Sequence, residues 1–171
     1  PMNGFAYDSQ SFTFTRHELY VLVPNMVDGP TWTRQKTACG KGIVGPFAFC
    51  VGERIWFCYE DGVYETNGTQ EAVRISDGIR ALFPYHSSAG YRANSSYNPI
   101  QFGAGIGDVT TIRMDYHAGE VYLFFVDTAG DRQAWAYTVE TKSWRFLAPS
   151  ARITFGYSDE AAAAEWRREA L

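Results

Sequence analysis

Two glycine-rich stretches contain residue types that could hold a phosphate group or a dinucleotide. Residues 40–45 read G-K-G-I-V-G and match G-x-G-x-x-G, a pattern whose glycines let a backbone approach a pyrophosphate where a helix begins. Here Pro46 leads into a strand-like run instead of a helix. We therefore interpret these glycines as residues that let two backbones approach or that adopt positive φ. Residues 103–108 lack the G-K-[ST] of a phosphate loop and are predicted to form a flexible loop.

The remaining polar residues do not form a pattern typical of catalysis or metal binding. The three histidines stand alone, and the closest approach to a pair is Asp115 with His117, which share one face of a predicted strand. Glu60 and Asp61 lie in a turn sequence, where an Asp caps the backbone. No serine lies in a G-x-S-x-G elbow, and the box typical of sialidase propellers is absent. We predict no catalytic residue, no metal site and no cofactor, and we expect that the chain is not an enzyme.

Composition and charge exclude several functions. The chain has 171 residues, of which 46% are apolar, and a formal net charge of −4, the wrong sign for a protein that grips phosphate backbones. The longest apolar run, residues 121–126, is far shorter than the roughly 20 residues that cross a bilayer. Cys39, Cys50 and Cys58 cannot all pair with one another and have no C-x-x-C spacing. We interpret them as buried free thiols.

Aromatic and β-branched residues occur in short runs interrupted by Gly, Asp and Asn, which is typical of many short strands. The runs predicted to be strands are 11–15, 19–23, 47–51, 54–59, 62–66, 73–75, 110–116, 121–127, 133–139 and 144–147. Residues 84–108 are predicted to form a long loop, and Ser158 is a candidate cap for a short C-terminal helix. We predict an all-β domain over residues 1–157 and a helical segment over residues 158–171.

Similar stretches that contain Glu18, Glu53 and Glu120 suggest an internal repeat. These glutamates are 35 and 67 residues apart, which fits a unit of about 35 to 45 residues, as in β-propellers. The first copy is short, because Glu18 and Trp32 are 14 residues apart whereas Glu120 and Trp144 are 24 residues apart. A naturally short blade and a piece of a longer protein are both open. We predict antiparallel β-propeller-like blades, either as an incomplete propeller or as part of a larger one.

The apolar residues of the repeats are expected to pack between blades. The residues for which this packing is predicted are Trp56, Phe57, Leu123, Phe124 and Trp144.

These blade sequences resemble the propeller-bearing tail proteins of short-tailed bacteriophages, which act as tail hubs, nozzles or packaged-DNA stabilisation proteins. The segments that carry the resemblance are residues 32–34, 40–46, 52–57, 60–64, 75–79 and 119–146. The likeness covers about residues 17–147. It implies a structural role in the virion tail, with assembly in the host cytoplasm. The implied partners are other copies of the chain in a ring and a portal, adaptor or other tail protein. Genome DNA would pass without sequence-specific binding.

Two regions are expected to contact partners, one in the long loop and one near the end of the chain. Their residues are Tyr85, Tyr91, Tyr97, Trp166, Arg167 and Arg168. The loop tyrosines could instead stack on sugars, which supports an alternative function as a carbohydrate- or cell-surface-binding propeller module. A propeller glycosidase is a third hypothesis, and it requires a pair of carboxylates in a cleft.

Overall fold

The computed structural model describes residues 3–25, 31–83, 105–107 and 109–147. More than half of these residues lie in twelve β-strands, and two short 3-10 segments occupy Asp77–Leu82 and Val109–Thr111. The predicted all-β character is therefore confirmed for this part of the chain. Nearly all of the predicted loop at residues 84–108, and the whole of the predicted helix at residues 158–171, lie outside the described residues.

The strands form three antiparallel sheets, each made of four strands that follow one another in the sequence. The first sheet contains β1 (Asn3–Tyr7), β2 (Gln10–Phe14), β3 (Leu19–Asn25) and β4 (Thr31–Lys36). The second contains β5 (Phe49–Val51), β6 (Ile55–Tyr59), β7 (Gly62–Thr66) and β8 (Val73–Arg74). The third contains β9 (Arg113–His117), β10 (Glu120–Val126), β11 (Arg132–Thr138) and β12 (Ser143–Leu147). These described sheets do not close into a ring.

All ten predicted strands are present, and the sequence pattern misses only β1 and β4 among the described strands. The largest shift is at the start of β9, where a 3-10 segment occupies Val109–Thr111. All six residues of β4 are exposed, so this strand has no apolar alternation to reveal it. In β1 the small residues Gly4 and Ala6 alternate with half-buried ones, which weakens the same pattern.

The short first copy of the repeat has a simple explanation. Glu18 directly precedes β3, the third strand of its sheet, whereas Glu120 opens β10, the second strand of its sheet. The interpretation of the first copy as a truncated blade is therefore wrong. Its hairpin lies upstream, in β1 and β2, and the first sheet has four strands like the others.

The second sheet lies between the other two and is buried on both faces. Residues 55–58 of β6 are all fully buried. The ring of Phe57 lies 5.1 Å from that of Phe14 in the first sheet. Its neighbour Trp56 points to the opposite face, because strand residues alternate, and stacks on Tyr116 of the third sheet at 4.8 Å. The continuous apolar run of β6 is thus explained by two packed faces.

The expected packing between blades is confirmed for some of the singled-out residues and corrected for others. Trp56 and Phe57 pack against neighbouring sheets as predicted, and Leu123 is fully buried. Phe124 is buried as well, but strand alternation places it on the opposite face of β10 from Leu123. Trp144, on the edge strand β12 of the third sheet, is half-buried. Its side chain donates a hydrogen bond to Ile75, the residue directly after β8 of the second sheet, so it contacts a neighbouring sheet as predicted.

The glycines at residues 40–45 join the first sheet to the second. The amide of Ile43 donates to the Thr15 carbonyl at 3.1 Å. A Cβ at Gly42 would overlap that carbonyl and the backbone of the next two residues, and Gly40 has a φ of +69°. Both roles proposed for these glycines, close backbone approach and positive φ, are confirmed.

Candidate functional site: an aromatic cleft and an open sheet face

A cleft lies between the second and third sheets, at their outer edges β8 and β12. It encloses about 670 Å³. Its lining includes Glu65, Val73, Arg74, Asp77, Trp135, Tyr137, Lys142, Ser143, Trp144 and Phe146. Because these residues come from two sheets and the segment after β8, the packing of the sheets creates the cleft.

One wall of the cleft is aromatic and held in place. The indole nitrogen of Trp144 donates to the Ile75 carbonyl at 2.7 Å, and its ring lies 5.2 Å from that of Tyr137. Phe146 meets Trp135 edge-on at 5.4 Å and remains 45% exposed. Trp144 and Phe146 are two residues apart on β12, so they lie on one face of the strand. The wall therefore presents two rings with fixed positions.

The opposite wall carries charges. The Glu65 carboxylate lines the cleft, half-buried, and among the described residues it has no hydrogen-bond or ion-pair partner. Burial, and then the charge of Glu65, raises the pKa of Tyr137 across the cleft. Asp77 is paired with Arg74 at 2.8 Å. Glu65 is thus the carboxylate of this cleft that is available to a ligand.

The second surface is the side of the first sheet that points away from the second sheet, called here the outer face. On β3 and β4, this face presents Tyr20, Leu22, Pro24, Trp32, Arg34 and Lys36, which lie opposite one another. Trp32 is 61% exposed. The Arg34 guanidinium lies over the ring of Tyr20, 5.3 Å from its centre. The outer face therefore combines exposed apolar groups with the positive charge of Arg34.

Glu18 and Glu120 occupy matching environments in the first and third sheets. Glu18 accepts a hydrogen bond from Tyr20 at 2.7 Å and pairs with Lys36. Glu120 accepts one from Tyr122 at 2.8 Å and pairs with Arg145 at 2.7 Å. In each case the cation, and then the tyrosine, lowers the pKa of the glutamate.

The third aligned glutamate, Glu53, lacks such a pair. Among the described residues, its carboxylate accepts only a long hydrogen bond of 3.4 Å from Tyr116. The spacing that distinguishes the other two is Glu-x-Tyr, at residues 18–20 and 120–122. That spacing was present in the sequence and could have revealed the clusters.

The six residues expected to contact partners, Tyr85, Tyr91, Tyr97, Trp166, Arg167 and Arg168, all lie outside the described residues. The prediction of buried free thiols is confirmed for Cys39, Cys50 and Cys58. Burial raises the pKa of all three thiols, that of Cys39 to about 11.

Within the described ranges, no group of three or more His, Cys, Asp or Glu side chains could hold a metal ion. Of the helical segments described, none is long and apolar enough to span a membrane. Comparison with protein-family models and with curated proteins finds no match to this chain. The class that the fold itself defines is an all-β protein of stacked four-stranded sheets.

Proposed function

We propose that the chain is a structural component of a short-tailed bacteriophage tail, of the hub or nozzle type, that acts by assembling with other protein subunits. The support is the resemblance of residues 17–147 to such proteins, together with the order of the sheets. Each sheet is a four-stranded meander, as in a propeller blade, and successive sheets pack face to face. We further propose that these sheets are blades of an incomplete propeller or of a larger one.

The observation that carries the proposal is the outer face of the first sheet. In the second sheet, the corresponding face is covered by the first sheet through contacts such as Phe57 with Phe14. On the outer face, Trp32 is 61% exposed beside the exposed Pro24. A large exposed aromatic residue in an apolar patch marks a protein contact more often than an ordinary surface.

We propose that a second copy of this chain covers the outer face. Arg34 gives the face a positive charge, since that of Lys36 is balanced by its pair with Glu18, whereas the chain has a formal net charge of −4. A second copy therefore meets this positive charge with a chain of opposite net sign, and it supplies four-stranded sheets of the kind that already stack on one another within the chain. The acidic balance also suits a conduit, because few cations would retain the passing genome.

The test is the oligomeric state of the purified chain, measured by native mass spectrometry. We expect the wild type to form an oligomer and Trp32→Ala to dissociate into smaller species, because the substitution removes the exposed anchor. The matched control is Phe47→Ala, since Phe47 is also an exposed aromatic residue, at 46%, but lies outside the outer face. A monomeric wild type, or equal assembly by both variants, would contradict the proposal.

A further inference from the structure

We propose that the cleft between the second and third sheets binds a neutral saccharide. This binding site is independent of the outer face, and its ligand is a small molecule or a glycan chain instead of a subunit. The cleft volume of about 670 Å³ is in the range of ligand sites, roughly 300–1,000 Å³.

The aromatic wall matches the apolar faces of sugar rings. A pyranose has a flat face of C–H groups, and it packs well on an aromatic ring that is already fixed. Trp144 is held by its hydrogen bond to Ile75, and Phe146 by its edge contact with Trp135. Because little side-chain freedom is lost when such rings receive a ligand, the wall is prepared for binding.

The polar residues match the hydroxyl groups at the rim of a sugar. The Glu65 carboxylate can accept hydrogen bonds from two hydroxyl groups, and within the described residues it has no other partner. On β12, the Ser143 hydroxyl already shares a hydrogen bond of 2.7 Å with Thr141, and it can make another to a ligand. An apolar ligand would leave the Glu65 carboxylate desolvated and unpaired, which is unfavourable.

The balance of charges favours a neutral ligand. Two carboxylates, Glu65 and Asp77, and two cations, Arg74 and Lys142, line the cleft. The ion pair between Arg74 and Asp77 occupies one charge of each sign. The remaining Glu65 carboxylate and Lys142 ammonium group also have opposite signs, so the cleft has no excess positive charge for a phosphate or a nucleotide, whereas a neutral sugar can use Glu65 as an acceptor.

The experiment is a titration of the wild-type chain with maltohexaose, cellohexaose and chitohexaose, followed by tryptophan fluorescence and by calorimetry. We expect saturable binding of at least one of them. Phe146→Ala and Glu65→Gln should each weaken binding about tenfold or more. Phe47→Ala is the control, since its ring is as exposed as that of Phe146, 46% against 45%, but lies outside the cleft.

A thermal unfolding curve for each variant excludes loss of the fold as the cause of weaker binding. No saturable binding of the three hexasaccharides up to about 10 mM would overturn the inference. Binding that Phe146→Ala and Glu65→Gln leave unchanged would overturn it as well. Because Trp32 lies outside the cleft, assembly and saccharide binding are tested by different residues, and either can fail alone.

Discussion

At the scale of single residues, Glu18 and Glu120 each connect the start of a strand to a neighbouring strand through an ion pair. Glu120 contacts Arg145 on β12 and accepts a hydrogen bond from Thr138 on β11 at 3.0 Å. One carboxylate therefore links three strands of the third sheet on the face opposite Val121. Such a cluster fixes the register of the strands more than it adds stability, because its cation is half-exposed.

Replacing Glu120 by Gln should make stability less dependent on pH. Since Arg145 holds the pKa of Glu120 below its usual value of 4.5, the folded chain binds fewer protons at this site than the unfolded chain. The contribution of the carboxylate is therefore present above about pH 4.5 and is lost as the pH falls through the lowered pKa. We expect a loss of about 0.3–1 kcal/mol at pH 7 that vanishes under acid conditions.

Urea unfolding of the wild type and of Glu120→Gln at several pH values measures this difference. Glu140→Gln is the control, because Glu140 lies exposed in the turn after β11 and has no described partner. A difference between wild type and Glu120→Gln that stays constant down to pH 2 would contradict the assignment.

Tryptophan substitutions should differ in cost according to their burial. Trp56 is fully buried between two sheets, so Trp56→Ala should cost about 3–5 kcal/mol in the free energy of unfolding. Trp144 is half-buried, so Trp144→Ala should cost roughly half as much, including the lost hydrogen bond to Ile75. At concentrations at which the chain is dissociated, Trp32 is 61% exposed, so Trp32→Ala should change stability by less than about 0.5 kcal/mol.

Chemical denaturation of these three variants measures the free energy of unfolding of each and so gives the order of their losses. An equal cost for Trp56→Ala and Trp32→Ala would contradict the central position of the second sheet.

At the scale of elements, the alternation of apolar residues and the content of aromatic and β-branched residues were enough to predict ten of the twelve described strands. They worked where one or both faces are buried, as in β6 and β10. They failed at β4, whose sequence T-W-T-R-Q-K carries no apolar alternation because no face of that strand is covered. The strand forms because β3 offers it a backbone ladder from Tyr20 to Asn25, and a local pattern does not record that long-range pairing.

The junction between the first two sheets should depend on Gly42. In Gly42→Ala, the new Cβ would overlap the Thr15 carbonyl and the backbone after it, so we expect a loss of at least about 2 kcal/mol in the free energy of unfolding. The matched control is Gly78→Ala, because a Cβ at Gly78 would meet nothing within 4 Å. The control should change stability by less than about 0.5 kcal/mol.

Thermal unfolding monitored by near-ultraviolet circular dichroism compares the two variants. Equal stability of Gly42→Ala and Gly78→Ala would contradict the close approach of the Gly42 backbone to that of Thr15.

At the scale of the whole molecule, the candidate site could not be predicted because it is made by packing. Glu65 and Asp77 belong to the second sheet and the segment after it, whereas Trp144 lies far along the chain, and only the contact of the second and third sheets brings Trp144 to the same cleft. The same holds for the exposure of Trp32, which depends on what covers the first sheet. The repeat, by contrast, was visible in part, because each sheet is a local unit of consecutive strands: the Glu53 and Glu120 copies both mark the second strand of a sheet, whereas the Glu18 copy was aligned with a third strand.

The most direct test of the proposed function is an electron cryo-microscopy reconstruction of the assembled chain. We expect an oligomer in which a second copy covers the outer face of the first sheet and buries Trp32. A reconstruction that shows this face open to solvent, or a particle that contains a single chain, would contradict it.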